Sequence, residues 1–377
     1  MNVRVAKALA RTVSLLLAVS VGSGVQAQTA AVQSSPSDQP TTGKRNSPMR
    51  ETTSSAETRE LLSRAVDLID KNRSGDAIPL LRKAIETDPT SYPASYNLGL
   101  ALVSLGRNRE AEEPLKKALA LRPESYEANL VLSIAYVNQG QNREAIEGLR
   151  AAQHVQPKNV RLLLLLGQQY LKGWFLQEAI NTFHEALELK PDDSEARYLL
   201  IEAYQNDKAY DEALKVARET LRLNPRAARA HYEVGNQLAS LGHYRQARQY
   251  FEEALQLDPS LVEACVWLGD LSSRSGQYEA ALQSYQRAKE LDPNNIDAAR
   301  GIGRSLIRLK RYPEALTELQ NFIAHYPPDA ELYLQLSQIY GRLGHAQEAE
   351  QANSTFQKLH AEEVRKRDSQ GPQTFLP

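Results

Sequence analysis

The sequence predicts an all-α protein built as a stack of helix–turn–helix repeats, and three regularities predict it. Prolines stand at 89, 123, 157, 191, 225, 259, 293 and 327, each 34 residues after the last. With Thr58 counted as position 1 of a 34-residue unit, position 20 is alanine nine times over, from Ala77 to Ala349. Position 8 is small in eight units: Ala65, Gly99, Ser133, Gly167, Gly235, Gly269, Gly303 and Ser337, with Ile201 the exception. A fixed period of this length marks a solenoid, in which each unit buries its face only against its neighbours.

The positions within one unit dictate its two helices. A glycine inside a helix costs about 1 kcal/mol relative to alanine, so it is kept where a facing helix must approach closely. The alanine at position 20 is a suitable partner for it. Large residues at positions 7, 11 and 24, such as Leu166, Tyr170 and Phe183, fill the space between. Glycine at position 15 (Gly106, Gly140, Gly242, Gly276, Gly344) ends the first helix. The proline at position 32 forces its predecessor out of the helical region and separates one unit from the next. Pro114, about two turns into a second helix, is expected to bend it.

This pattern resembles the tetratricopeptide repeat family, whose signature is small residues at positions 8, 20 and 27 with proline at 32. The resemblance covers nine units, 58–91, 92–125, 126–159, 160–193, 194–227, 228–261, 262–295, 296–329 and 330–363, which is 306 of 377 residues. It implies a right-handed superhelical solenoid and a protein-binding role. The ninth unit departs at its end, with Ala361 where proline is expected; its second helix should run on toward the 364–377 tail as a polar cap.

The resemblance also implies that positions 2, 5, 9, 12 and 13 of each first helix line a concave groove. In units 1–4 positions 5, 9 and 12 are almost all apolar, including Tyr96, Leu100, Val103, Leu130, Ile134, Val137, Leu164 and Leu171. An exposed apolar strip of that size usually marks a contact site. The expectation is a groove for an apolar or amphipathic partner segment, protein or peptide. A second copy of the chain (a homo-oligomer), the 28–57 segment or tight curvature are the other ways to cover it. Units 5–9 carry a more polar wall with Tyr198, Tyr232 and Asn236. Arg300, Arg304 and Arg308 fall at positions 5, 9 and 13 of unit 8, beside Arg274 and Arg342. They read an acidic side chain or C-terminal carboxylate, pair with Asp270, Glu263 or Glu331, or are simply solvated. The family's carboxylate clamp is not reproduced, because Asn97 and Asn236 stand apart from the arginines. The same stretch, Ala298–Tyr312, holds a Gly301–Gly303 pair that imitates a phosphate loop, but Gly303 is the position-8 residue of its unit.

The N-terminus has the layout of an export signal. Arg4, Lys7 and Arg11 precede a short apolar core at Thr12–Val21, and Val25-Gln26-Ala27 resembles a cleavage site. That core is about half the ~20 residues needed to span a bilayer. Residues 1–27 are therefore expected to be a cleaved signal, leaving no integral span and placing the chain in a periplasm or secreted. Residues 28–57, rich in Ser, Thr, Pro and Gln, are expected to be a linker without a packed core.

Composition narrows the function further. Lys and Arg number 45 against 46 Asp and Glu, so no global field draws the chain to nucleic acid. The single cysteine, Cys265, rules out an internal disulfide or a CxxC metal site and sits at a packing position. The seven histidines are scattered, and no nucleophile elbow, phosphate loop or zinc-protease helix is present. No cofactor, metal or catalytic residue is expected. The function these features imply is a non-catalytic interaction scaffold outside the cytoplasm. The alternative is an accessory subunit of a pilus, secretion or exopolysaccharide apparatus.

Overall fold

The computed structural model describes residues 53–326 and 328–369, which hold eighteen α-helices and no strand. The segment expected to be a signal, and the linker up to residue 52, lie outside the described residues. The described chain divides into two compact units, the first ending at Gly173 and the second beginning at Trp174. The first holds α1 (Thr53–Asp70), α2 (Ser74–Thr87), α3 (Tyr92–Ser104), α4 (Asn108–Leu121), α5 (Tyr126–Asn138), α6 (Asn142–Val155) and α7 (Val160–Lys172). The second holds α8 (Leu176–Leu189), α9 (Ser194–Asn206), α10 (Tyr210–Leu223), α11 (Ala228–Ser240), α12 (Tyr244–Leu257) and α13 (Val262–Arg274). It continues with α14 (Tyr278–Leu291), α15 (Ile296–Arg308), α16 (Tyr312–His325), α17 (Ala330–Leu343) and α18 (Ala346–Ser369). Helix α1 starts five residues before Thr58, so Thr53–Glu57 are helical rather than linker. Helix α18 runs past 363 to Ser369, as the missing proline at 361 allows. Helix α4 continues through Pro114.

Within each unit every helix packs on the next, and first helices also lie beside the first helices of neighbouring repeats, as α3 does with α5 and α15 with α17. The position-8 residues explain how close the pairs come. A Cβ on Gly99 would stand 2.3 Å from Leu115, and one on Gly235 would stand 2.8 Å from the Phe251 ring. Tyr285 has glycine on two sides: a Cβ would meet its ring at 2.6 Å from Gly269 and at 2.4 Å from Gly301. That is the use of the second glycine in the Gly301–Gly303 pair. The alanines at position 20 are fully buried from Ala77 to Ala315, and Ala349 in the last repeat is half-buried. Cys265 is buried against Ala288 and Ala298, and burial raises its thiol pKa, which leaves it an unreactive core thiol.

The turns follow one rule with two kinds of residue. After α3 the Arg107 N–H reaches the Leu102 carbonyl at 2.9 Å and the Gly106 N–H reaches Val103 at 3.0 Å, closing a Schellman turn around a left-handed glycine. Where the glycine is absent the backbone keeps the same shape, with Asn72, Trp174, Lys208 and Lys310 at φ near +60°. The packing of the helix pair on either side outweighs the local steric cost. Position 34 supplies N-caps: Ser91, Ser125, Asn159, Asp193, Asn295 and Asp329 each accept a bond from the backbone N–H three residues on.

Candidate functional site

The first-helix positions expected to line a groove behave differently in the two units. In the first unit Tyr96, Leu100, Val103, Leu130, Ile134, Leu164 and Leu171 are buried, none more than 8% exposed, and Val137 is half-buried. The exposed apolar strip expected there is not exposed. Apolar surface is withdrawn from water at roughly 25 cal/mol per Å², and side-by-side first helices favour that outcome. These side chains are first of all packing residues.

In the second unit most of the same positions stay partly open: Tyr198, Tyr232, Asn236, Val266 and Asp270 are half-buried and Glu202 is exposed, while Ala239 is buried. Three consecutive first helices bring aromatic rings and carboxylates together here. Helix α11 places Arg229 with its guanidinium 4.1 Å from the centre of the Tyr198 ring and its Nε 3.5 Å from Glu233. Phe251 packs against Tyr232 at 5.8 Å and stacks on Trp267 at 5.7 Å. Burial pushes the Glu233 carboxyl up to about 7; Arg229 opposes the rise, while Glu202 and Glu263 add to it. Burial likewise raises the Tyr232 phenol, so its ring stays neutral.

The arginine row is mostly spent inside the fold. Arg300 grips Asp329 through two bonds and reaches Asp297 at 3.2 Å. Arg304 bonds Glu331 at 2.9 Å and stands 3.6 Å from Asp270, which accepts the Tyr285 hydroxyl. Asp329 also caps α17, so Arg300 ties one repeat to the start of the next. Arg308 is exposed and forms no ion pair among the described residues. Of the partners expected for this row, Asp270 and Glu331 are used and Glu263 is not. Asp329, at position 34 of its repeat, is a partner that the groove positions alone do not point to.

A third feature lies in the first unit, where α3 begins. Tyr92 and Tyr96 stack with their rings parallel within 6° and centroids 5.8 Å apart. Arg122 covers the Tyr92 ring at 4.4 Å, and the Tyr92 hydroxyl bonds Ser125 Oγ at 2.6 Å. A cavity of about 740 Å³ opens beside them. Tyr92 at position 1, and Glu233 and Trp267 at position 6, were missed by the choice of groove positions. Their signal was available as aromatic and acidic residues on otherwise regular helices. Trp174 was missed too: it is 59% exposed in a left-handed turn, an unusual place for a bulky ring.

No helix of the described residues is long and apolar enough to cross a membrane. Family models described as tetratricopeptide repeat match residues 62–129, 113–168, 238–304, 273–328 and 330–352. A model described as anaphase-promoting complex, cyclosome, subunit 3 matches 175–254. No curated protein matches the sequence. Among solved structures, the C-terminal part of a tetratricopeptide repeat protein from Cytophaga hutchinsonii aligns with a TM-score of 0.54 at 17% identity, covering 64% of this chain and 99% of that one. A tetratricopeptide repeat protein from Parabacteroides merdae aligns at 0.49 and 18% identity, covering 67% of this chain and 99% of that one. YrrB, described as having an unusual peptide-binding site, aligns at 0.44 and 25% identity, covering 49% of this chain and 95% of that one.

Proposed function

Since the chain belongs to the tetratricopeptide repeat family, we propose that it is a non-catalytic interaction scaffold, exported from the cytoplasm, that holds a partner segment against the first helices of its second unit. The observation that carries this reading is the partly open face on α9, α11 and α13, where Tyr198, Tyr232 and Trp267 stand beside Glu202 and Glu233. Aromatic rings with a polar edge are the side chains that dominate binding energy in protein interfaces. Carboxylates next to them favour a partner segment that carries positive charge. Arg229 already occupies one such place, over the Tyr198 ring and beside Glu233, and shows what a partner's cation would find there. The paired state of Arg300 and Arg304 argues against an anionic partner at unit 8. Export rests on the basic start, short apolar core and small-residue site within residues 1–27.

A photocrosslinking residue placed at Tyr232 tests the face in intact cells. Capture of one partner from Tyr232, lost when Glu202 and Glu263 are both changed to lysine, is the expected result. Equal capture from an exposed second-helix position such as Glu252 would overturn the assignment of the face. Mass measurement of the same purified chain should show an N-terminus at Gln28.

A further inference from the structure

Exposed arginines recur along the second unit with no carboxylate set against them. Arg274, Arg308 and Arg342 stand at position 13 of consecutive repeats, in the last turns of α13, α15 and α17. We propose that they form a docking row for an extended acidic segment of a partner protein, with a carboxylate at every third residue. The proposal rests on the scaffold reading and names what the partner carries beyond the aromatic face.

Arg274 donates to the Tyr244 hydroxyl at 3.3 Å and lies 5.1 Å from the centre of that ring. None of the row forms an ion pair among the described residues. Neighbouring carboxylates are engaged elsewhere: Asp270 and Glu331 by Arg304, Glu314 by Arg311, and Glu348 at 3.5 Å from His345. Glu279 acts on Arg311 as well. The pairing that argues against an anionic partner at Arg300 and Arg304 therefore does not extend to this row. A cation in the last turn complements the helix dipole. Yet α1, α3, α5, α9 and α11 end without a basic residue, so the repeat does not require one.

The repeat sets the period of the ligand. Helix α13 packs beside α15, and α15 beside α17, and packed helices lie about 8–10 Å apart. A chain in the polyproline II conformation, common in unfolded segments, rises about 3.1 Å per residue with about three residues per turn. Every third side chain then faces the same way at intervals of about 9 Å, one for each arginine. The planar guanidinium fork matches a carboxylate. Nucleic-acid phosphates recur about every 3.4 Å along the axis of each strand, so the row would leave most of them unmet. The Tyr244 ring is covered by Arg274, so it is not a free platform for a base.

Fluorescence anisotropy of a labelled (Glu-Ser-Gly)4 peptide with the full chain tests the row. The comparisons are a peptide of the same composition with its glutamates contiguous, (Lys-Ser-Gly)4, and a short oligothymidine. The first should bind about tenfold more tightly than any of the others. Changing Arg274, Arg308 and Arg342 together to glutamine should weaken it about thirtyfold, and each alone about threefold. Arg311→Gln, whose side chain is already paired, should change it less than about twofold. The row is exposed, so these variants should unfold within about 3 °C of the parent chain. Equal binding of the contiguous peptide or of the oligonucleotide overturns the proposal, as does unchanged binding by the triple variant. A gain of about tenfold on removal of residues 370–377 would also overturn it, by making the chain's own end the occupant. Affinity that falls as the protein concentration rises would overturn it by making a second copy the occupant. Peptide binding unaffected by the triple variant, with capture at Tyr232 intact, would remove the row and leave the scaffold reading standing. Peptide binding lost in the triple variant, with nothing captured at Tyr232, would do the reverse.

Discussion

The two units apply the same repeat to opposite ends. At positions 5, 9 and 12 the first unit places Tyr96, Leu100, Val103, Leu130 and Ile134, and all of them are buried. At the same positions the second unit places Tyr198, Glu202, Tyr232, Asn236 and Asp270, and these stay at least partly open. The backbone at these positions is helical in both units, so the difference lies in the side chains. Apolar neighbours make the face part of the core and bury even Tyr96 with it, whereas polar and charged groups between the rings leave it available for recognition. A groove position in this fold is thus a place whose use depends on the residue, and hydrophobicity at such a place does not mark a binding site.

The largest effect should come from the closest packing. Gly301→Ala places a Cβ against the Tyr285 ring, which Gly269 confines from the other side. We expect a loss of about 3 kcal/mol, read from denaturant unfolding, because a rigid ring held on two sides cannot step aside. Gly99→Ala in the first unit meets the branched end of Leu115, which can change rotamer, and should cost about half as much. If the two losses were equal, confinement of Tyr285 would not be the cause.

The polar face should respond to pH where the apolar one does not. The folded value of Glu233, about 7, lies above its ordinary 4.5, so the folded chain holds that proton more tightly than the unfolded one. Its contribution to stability is fully present below pH 4.5 and is lost as the pH rises through 7. Arg229, Glu202 and Glu263 are the charges that bear on it. Between pH 5 and pH 8 the native chain should lose on the order of 2 kcal/mol more stability than Glu233→Gln. Parallel pH profiles for the two would show that Glu233 is not buried as described.

The arginines give the smallest contrast. Arg300→Ala leaves Asp329 buried without its cation and should cost about 1–2 kcal/mol in thermal unfolding. Arg308→Ala, on an exposed side chain, should stay within about 0.5 kcal/mol. A larger effect at 308 than at 300 would contradict the pairing.

The sequence by itself determined the repeat, the helix pairs, their turns and the class of protein, because these follow from residues that recur every 34 positions. Proline, glycine and alanine at fixed places act through local backbone sterics and direct helix contact, and both can be read from spacing. Even Lys310 and Trp174 in left-handed turns could be foreseen, since they stand where the other units have glycine. Only the tertiary structure decided which groove positions face water, that Arg300 belongs to Asp329, that Glu233 is buried among other carboxylates, and that the Tyr96 hydroxyl has no partner. Those outcomes depend on side chains from different repeats meeting in space. The period gives the register of each residue, and the neighbouring helices supply its surroundings.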